Sequence, residues 1–444
     1  MRLHRACWLI SALVSAAALP APARGVGLTK FIEKDTISVM AEGMGEKERF
    51  AVVFSRKAGS IAVWHDLAAD PKMEVNLSAR GEGNGFALFQ HRAEIVVDGK
   101  EATIFPGPAD EFVVTEYSPV RAIVSLKGPY TTATGEFPGE ELAKVSMKIA
   151  GREYRPPERP RYETQFTVYP TGRIFIRHVL EVRSRPLEFK SSRMLLATAP
   201  AAHVDAFNDQ AARELRFVMP SSFIVHAGTE PAFPANALFV VNLHQYPTDW
   251  LGQMMMFDDK RSGLPAEASA KVGWTRSAFR VHGERTVAPG KYVWNFMLQI
   301  APGNIRTREA AEVHALDYLQ AARLVFTPGM GGAELADDQD EQLDGFVESR
   351  GAYVLSADGK DAVEFRMDCG MQSRTCPAFE IRTWRHPPPA AIVVDGARRF
   401  AGTHFQANVE RNTLVLQYLG VFTPGEHTLR IEADAPEAAS SERP

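Results

Sequence analysis

Short runs of β-branched and aromatic residues, separated by turn-forming residues, recur over most of this 444-residue chain. Ala51–Phe54, Ile61–Trp64 and Phe112–Thr115 are typical of these runs. No convincing helical period separates them between Leu28 and Ala301, so the pattern favours strands that pair with one another over strands that alternate with helices. We therefore predict an all-β protein built around a large antiparallel β-sandwich.

Two turn signals indicate how neighbouring runs pair. Asp98-Gly99 lies between two apolar runs, and both residues tolerate the positive φ of a tight hairpin. Pro170-Thr171-Gly172 lies between two of the strongest strand patterns, Tyr162–Tyr169 and Arg173–Val182. The sequence therefore predicts a β-hairpin at each place.

The N-terminal residues have the pattern of a secretory signal. A short basic head precedes an apolar run over Ala6–Leu19, and Ala21-Pro22-Ala23 supplies the small residues that a signal peptidase requires. We predict a signal peptide at residues 1–23 and a secreted or periplasmic protein, with an N-terminal membrane anchor as the alternative. No later run reaches about 18 apolar residues, so no membrane span is expected after cleavage.

The strand pattern is interrupted between Thr307 and Phe326, where apolar residues recur at i, i+3 spacing until Pro328-Gly329. This predicts one amphipathic helix, followed by an acidic linker that contains glycine. Short strand patterns then resume and predict a small C-terminal β-sandwich. The expected order is a signal peptide at 1–23, a large supersandwich-like β-sandwich at 28–305, a helix and linker at 306–344, a small β-sandwich at 345–434 and a disordered tail at 435–444.

The charge balance and the motifs restrict the function. Lys and Arg number 50 and Asp and Glu number 54, so no extended positive field attracts a polyphosphate backbone, and we expect no nucleic-acid partner. Phosphate-binding, zinc-protease and α/β-hydrolase motifs do not occur in the sequence, and we expect no cofactor.

Two cysteines remain after removal of the signal, Cys369 and Cys376. They flank a short Gly-containing loop and would meet an oxidising environment after export, so we predict a disulfide between them. A metal site is the weaker interpretation, because no second pair of Cys or His lies nearby to complete a tetrahedral set.

The richest cluster of polar and aromatic residues begins at Asn242. Strand alternation puts Asn242, His244 and Tyr246 on one face, and Trp250 follows after a turn. Such side chains can hydrogen-bond hydroxyls and stack on a sugar ring. The alternative is the edge of an aromatic core that contains a satisfied histidine.

Other polar residues interrupt apolar strand patterns. His91 and Arg92 are adjacent on one strand, as are Arg177 and His178 on another, so alternation sends the members of each pair to opposite faces. Arg121 lies on a further strong strand, and a guanidinium can bind a carboxylate through two hydrogen bonds. The alternative for each is an ordinary strand residue with a hydrogen-bond partner.

The run Tyr117–Val124, followed by the paired patterns Tyr162–Tyr169 and Arg173–Leu180, resembles the galactose-mutarotase-like supersandwich domains of secreted polysaccharide lyases. In those domains a strand that reads Gly-Pro-Val-Arg-Ala precedes long paired strands, and Ser118 stands here in place of the glycine. The resemblance covers about residues 28–301. The stretch Ile392–Leu429 is similar to accessory β-sandwich domains of secreted carbohydrate-active enzymes.

The resemblance implies a lyase that cleaves a uronic-acid-containing polysaccharide by β-elimination. The reaction needs a group that neutralises the C6 carboxylate, a base for the C5 proton and an acid for the O4 leaving group. The alternatives are a non-catalytic glycan-binding or structural envelope protein, and a glycoside hydrolase or sugar epimerase with Glu163 and Glu181 as carboxylates. The candidate catalytic residues are His244, Tyr246 and His178, and the candidate substrate-binding residues are Asn242, Trp250, Arg177, Arg121, His91 and Arg92.

Overall fold

A computed structural model describes most of the chain from Leu28 to Asp434. The residues described are 28–41, 50–68, 70–73, 76, 89–138, 148–149, 152–153, 158–197, 214–219, 223–226, 239–246, 249–258, 276–282, 285–300, 316–318, 320–333 and 345–434. The predicted signal peptide, the predicted tail and the predicted linker beyond residue 333 lie outside these ranges.

The N-terminal strands form a four-stranded antiparallel sheet in chain order. In its second strand buried and half-buried residues alternate, as expected for a sheet with one face on a core. The strands are β1 (Leu28–Ile32), β2 (Thr36–Ala41), β3 (Phe50–Ser55) and β4 (Ser60–Asp66).

A 14-stranded antiparallel sheet follows. Its strands are β5 (Phe89–Val97), β6 (Lys100–Pro106), β7 (Glu111–Tyr117), β8 (Ala122–Thr131), β11 (Arg161–Val168), β12 (Arg173–Val182), β13 (Leu187–Ala197), β14 (Glu214–Met219), β15 (Phe223–His226), β16 (Phe239–Tyr246), β17 (Asp249–Asp258), β18 (Arg276–His282), β19 (Arg285–Val287) and β20 (Gly290–Ile300), and a separate short pair is formed by β9 (Lys148–Ile149) and β10 (Arg152–Glu153). The order is β15-β14-β16-β17-β20-β12-β11-β8-β6-β5-β13-β18, with β7 on β8 and β19 on β13.

One apolar core joins the large sheet to the N-terminal sheet. Phe54 of β3 meets Phe166 of β11 with ring centroids 5.0 Å apart, and Trp64, Ile95 and Phe296 belong to the same buried cluster. In the part of the large sheet whose side chains are described, the inner face is therefore covered, and the outer face is left for other contacts. The prediction of an all-β architecture with a large antiparallel β-sandwich is confirmed.

Both predicted hairpins are present. Asp98 and Gly99 have φ values of 51° and 75° and connect β5 to β6, while Pro170-Thr171-Gly172 connects β11 to β12. The second hairpin pairs eight residues of β11 with β12 without a register shift. It supplies the centre of the large sheet.

The small C-terminal sandwich consists mainly of a five-stranded and a six-stranded sheet. Its strands are β21 (Arg323–Phe326), β22 (Gly332–Ala333), β23 (Phe346–Val347), β24 (Ala352–Ser356), β25 (Ala362–Asp368), β26 (Arg374–Thr375), β27 (Ala378–Arg382), β28 (Ala391–Val394), β29 (Ala397–Phe400), β30 (Phe405–Glu410), β31 (Thr413–Tyr418), β32 (Val421–Phe422) and β33 (Glu426–Glu432).

The helix predicted up to Phe326 is wrong at its C-terminal end. Helical residues in the described part of that segment are 316–318, and Arg323–Phe326 instead forms β21, which pairs with β25. Edge pairing to the small sandwich outweighs the local helical preference, because it satisfies the backbone and brings Leu324 and Phe326 against the C-terminal core.

The two sandwiches share a second apolar core. Phe175 and Met297 come from the outer face of the large sheet, and they pack in one cluster with Tyr318, Tyr353 and Phe379. The approach is close at Gly351, where a Cβ atom would lie 2.2 Å from the Phe175 ring. The small sandwich therefore covers one part of the outer face.

A buried ion network crosses the same interface. All three guanidinium nitrogens of Arg121 donate to carboxylates, at 2.7 and 2.8 Å to Glu116 and 2.9 Å to Glu380 of β27. Arg350 donates to the other Glu380 oxygen at 2.7 Å. Burial raises the pKa of Glu380, but the positive charges of Arg121 and Arg350 outweigh burial and lower it.

The predicted disulfide is not formed. No disulfide joins Cys369 and Cys376. The Cys369 side chain is buried in the core of the small sandwich, whereas Cys376 lines a small cavity between the sandwiches beside Arg173 and Gln417. The two side chains thus lie in different packing environments, although they are close in sequence.

Candidate functional site

The central strands of the large sheet have chemically different faces. On the inner face, polar side chains from β5, β8, β11, β12 and β13 meet within the apolar core. We call Ser192, His91, Tyr130, His178 and Thr164 the buried chain, because hydrogen bonds join them in that order.

The buried chain is continuous. His91 Nε2 lies 2.6 Å from Ser192 Oγ, and His91 Nδ1 lies 2.5 Å from the Tyr130 hydroxyl. The same hydroxyl lies 3.0 Å from His178 Nε2, and His178 Nδ1 lies 2.8 Å from Thr164 Oγ1. Trp294 packs beside both imidazoles, with ring centroids 5.3 and 6.1 Å away.

Burial keeps His178 and Tyr130 neutral. His178 is 1% exposed, and burial lowers its pKa from 6.5 to about 3, so its imidazole is uncharged near neutral pH. Burial also raises the pKa of the Tyr130 phenol well above its ordinary value. Since His91, Tyr130 and His178 are completely or almost completely buried, none of them reaches a polysaccharide at the surface.

The outer face of the same strands carries a row of polar residues. Register pairs Ser125 of β8 with Gln165 of β11, Gln165 with Arg177 of β12, and Arg177 with Asn295 of β20. The next register position, on β17, is Asp258. We call Ser125, Gln165, Arg177 and Asn295 the polar row.

The polar row is half open. Arg177 and Gln165 are partly exposed, whereas Asn295 is 1% exposed and its Oδ1 has no hydrogen-bond partner in the described part of the structure. A buried acceptor without a donor is costly, and a bound water would satisfy it. Phe175 and Met297, two positions from Arg177 and Asn295, pack in the core shared with the small sandwich, which therefore borders the row.

Several cations around the row already have acidic partners. Lys127 lies 3.6 Å from Glu111 and 3.7 Å from Glu163. Arg161 donates to both oxygens of Asp110. These pairs neutralise Lys127 and Arg161.

The predicted arginines have different surroundings. Arg177 lies at the centre of the polar row. Arg121 is 3% exposed and is engaged by two carboxylates at the interface between the sandwiches, so its geometry favours a structural role. Arg92 lies over the ring of Phe105, 5.2 Å from its centroid.

The structure brings two predicted histidines together and separates each from its neighbouring arginine. His91 and His178 belong to the buried chain, with ring centroids 5.5 Å apart. Alternation puts Arg177 on the opposite face from His178, as predicted. His178 therefore does not share a surface with the arginine beside it.

The Asn242 cluster occupies another part of the sheet. Asn242, His244 and Tyr246 alternate on β16, and Trp250 pairs with Gln245. Their side chains lie outside the described part of the structure, so their predicted roles stay predictions.

Backbone register nevertheless separates this cluster from the buried chain. Trp294 pairs with His178, and Ile300, six positions further along β20, pairs with Gln253. His244 pairs with Leu251, another two positions away. At about 3.3 Å per residue, the two groups are roughly 25 Å apart along the strands, so His178 and His244 do not converge on one sugar.

Sequence reasoning missed Tyr130, Ser125, Gln165 and Asn295. Alternation within Ala122–Thr131 and within β20 gives the face of each residue, but the cross-strand register decides which residues become neighbours. The available signal was the recurrence of polar residues at outward positions of otherwise apolar strands.

Glu163 and Glu181, the candidates for a hydrolase or an epimerase, are both ion-paired. Glu163 faces Lys127, and Glu181 accepts a hydrogen bond from Arg183 at 2.9 Å. Among the described residues, no group of three or more His, Cys, Asp or Glu is arranged to hold a metal ion. The same residues contain no helix that is long and apolar enough to cross a membrane.

Comparisons with solved structures found both kinds of protein named in the sequence resemblance. A polysaccharide lyase matches 95% of this chain and 48% of its own at 9% identity, with a TM-score of 0.33. The heparan sulfate lyase of Pedobacter heparinus matches 83% and 44% at 9% identity, with a TM-score of 0.26. A putative aldose 1-epimerase from Escherichia coli K12 matches 62% and 99% at 8% identity, with a TM-score of 0.29.

This chain spans about half the length of the lyases that it matches. A likeness at these TM-scores carries no argument about activity or substrate. No protein-family model and no curated protein matches the sequence.

Proposed function

We propose that this protein is a polysaccharide lyase that binds a uronic-acid-containing glycan at the polar row. The observation that supports this most is the position of Arg177 between Gln165 and Asn295, on the half-open outer face. The guanidinium of Arg177 and the amide N–H groups of the partly exposed Gln165 match the hydrogen-bond acceptors of a carboxylate. Neutralising that carboxylate makes the neighbouring C5 proton more acidic.

For the base we propose Asp258, whose backbone has the register position beside Asn295 and whose side chain lies outside the described part of the structure. A carboxylate that takes the C5 proton leaves an electron pair, which forms the C4–C5 double bond as the C4–O4 bond breaks. The O4 leaving group then takes a proton from an acid or from water. The products are an unsaturated uronate and a new chain end.

A specific observation favours a second candidate, a non-catalytic glycan-binding protein. The histidines and the tyrosine of the buried chain, His178, His91 and Tyr130, are buried on the opposite face. On this view the row holds the glycan carboxylate, and no proton is transferred.

Incubation with polygalacturonate, alginate, glucuronan and heparan sulfate distinguishes these functions. A rise in the ultraviolet absorbance of unsaturated product identifies a lyase, and retention of a glycan without such a rise identifies a binder. If the reacting sugar lies at the polar row, Asp258→Asn should abolish elimination and preserve binding, and His244→Ala and Tyr246→Phe should keep activity. If instead the β16 variants lose activity and Asp258→Asn does not, the reacting sugar lies at the Asn242 cluster.

We also propose that the chain is exported, because its N-terminal sequence has the pattern of a cleaved signal. Determination of the mature N-terminus tests this, with cleavage expected near Ala23. A full-length N-terminus in the cytoplasmic fraction would contradict it.

A further inference from the structure

Three residues of the polar row are adjacent in sequence to a residue that belongs to the buried chain or packs against it. Gln165 follows Thr164, Arg177 precedes His178, and Asn295 follows Trp294. Because successive side chains of a strand point to opposite faces, each pair places one residue in the core and one on the row. Whatever holds the inner residue also orients the outer one.

The inner residues are held by strands from two parts of the large sheet. Thr164 and His178 lie on the strands that carry the row, while His91 and Ser192 lie on β5 and β13, in another part of the sheet. Tyr130 is the common partner of both histidines, at 2.5 and 3.0 Å.

We propose that the buried chain is the positioning support of the polar row, and that Tyr130, His178 and Thr164 are positioning residues for the glycan carboxylate. This inference rests on the proposed function. A polar chain in an apolar core specifies one arrangement, because any shift leaves a buried donor or acceptor unpaired. The buried chain thereby restricts the register of β11, β12 and β20. It thus also restricts the positions of Arg177 and its amide neighbours.

The buried chain has a recognisable protonation pattern. The Tyr130 hydroxyl has one proton, so it donates to one histidine and accepts an N–H from the other. If it donates to His178 Nε2, both histidines carry their proton on Nδ1. If it donates to His91 Nδ1, both carry it on Nε2. The two histidines must therefore share one tautomer.

The test compares two buried tyrosines. Tyr130→Phe breaks the chain, whereas Tyr162→Phe removes another buried hydroxyl, which donates to the Gly107 carbonyl at 2.8 Å outside the chain. Titration with whichever of polygalacturonate, alginate and glucuronan oligosaccharides the wild type binds most tightly is done well below the melting temperature of each variant. We expect Tyr130→Phe to weaken binding roughly tenfold or more, because small misplacements of binding groups are costly, and Tyr162→Phe to bind like the wild type.

Thr164→Val and Thr164→Ser give the same test if Tyr130→Phe does not fold. Thr164→Val removes the hydroxyl that contacts His178 and should weaken glycan binding. Thr164→Ser keeps the hydroxyl and should bind the glycan like the wild type. Equal binding by wild type, Tyr130→Phe and Thr164→Val would overturn the inference and leave the proposed function intact. A wild type that binds none of these glycans overturns both.

Nitrogen-15 spectra of the histidine rings provide a readout that needs no ligand. The inference expects the same tautomer for His91 and His178 in the wild type, and altered ring signals in Tyr130→Phe but not in Tyr162→Phe. Different tautomers in the neutral wild type would overturn it.

Discussion

At the scale of single residues, this protein keeps polar groups in its core by pairing them with one another. His178 illustrates the balance: both ring nitrogens have hydroxyl partners, and burial excludes the charged form. The imidazole is stable there only while it is neutral, since a proton would place an uncompensated charge in an apolar environment.

This makes His178 a source of acid sensitivity. A folded pKa of about 3, below the unfolded value of 6.5, means that the unfolded chain binds more protons between these limits. The stabilising contribution is therefore complete above pH 6.5 and is lost as the pH falls toward 3, by on the order of 5 kcal/mol.

His178→Gln removes this titration. In denaturant unfolding, the free energy of unfolding of the wild type should fall more steeply between pH 6.5 and pH 4 than that of the variant, although the variant is less stable at pH 7. Parallel pH profiles would contradict a neutral buried His178.

The cysteines give a second prediction at this scale. Cys376 is half-buried, whereas Cys369 is buried and its thiol pKa is raised to about 11 by burial. Without a reductant, an alkylating reagent should modify Cys376 in the native protein and Cys369 only after unfolding. Unmodified cysteines in denatured protein would show instead that the disulfide suggested by the sequence forms.

At the scale of strands and turns, local sequence was informative where local geometry decides the structure. The hairpin of β11 and β12 was predictable because Gly172 accepts a φ of 77° between two strong strand patterns. The end of the predicted helix was not predictable from local sequence. Arg323–Phe326 forms a strand because it pairs with β25, about 40 residues later.

The candidate site shows the same limit. Alternation correctly separated Arg177 from His178. It could not show that the His91 imidazole forms a hydrogen bond with the Ser192 hydroxyl, 101 residues away. It also could not show that Arg177 has Gln165 and Asn295 as neighbours, because those neighbours depend on the register of three strands.

Gly351 tests the packing between elements. It has a φ of 60°, and a Cβ atom would lie 2.2 Å from the Phe175 ring. Gly359 has a similar φ of 71° but no atom within 4 Å of its Cβ position. Gly351→Ala should lower the free energy of unfolding by about 2 kcal/mol or more, through strain and a clash, while Gly359→Ala costs about 1 kcal/mol through strain alone.

Chemical denaturation of both variants measures this difference. Equal losses would show that the two sandwiches are not in close contact at Phe175.

At the scale of the whole molecule, the two sandwiches are joined by a common core and by charge. Phe175 and Met297 of the large sheet pack among residues of the small sandwich, and Arg121 links Glu116 to Glu380 across the interface. A cut between residues 334 and 344 is therefore expected to leave two fragments that stay associated, and thermal unfolding is expected as one transition.

Glu380→Gln tests this connection. The substitution leaves the buried Arg121 with only one carboxylate and should lower the free energy of unfolding by about 3 kcal/mol. Because the pKa of Glu380 is lowered in the folded protein, its contribution is present above the unfolded value of 4.5 and is lost as the pH falls below it. Calorimetry at pH 7 should show a lower melting temperature; an unchanged one would contradict the role of this network.

The most direct test of the account is a comparison of two arginines on neighbouring strands. Arg177 belongs to the polar row, whereas Arg161 is paired with Asp110 outside it. With the best uronan substrate, Arg177→Gln should reduce the formation of unsaturated product at least a hundredfold, while Arg161→Gln should leave it close to the wild-type rate. Full activity in Arg177→Gln, with wild-type stability, would contradict the assignment of the polar row as the glycan site.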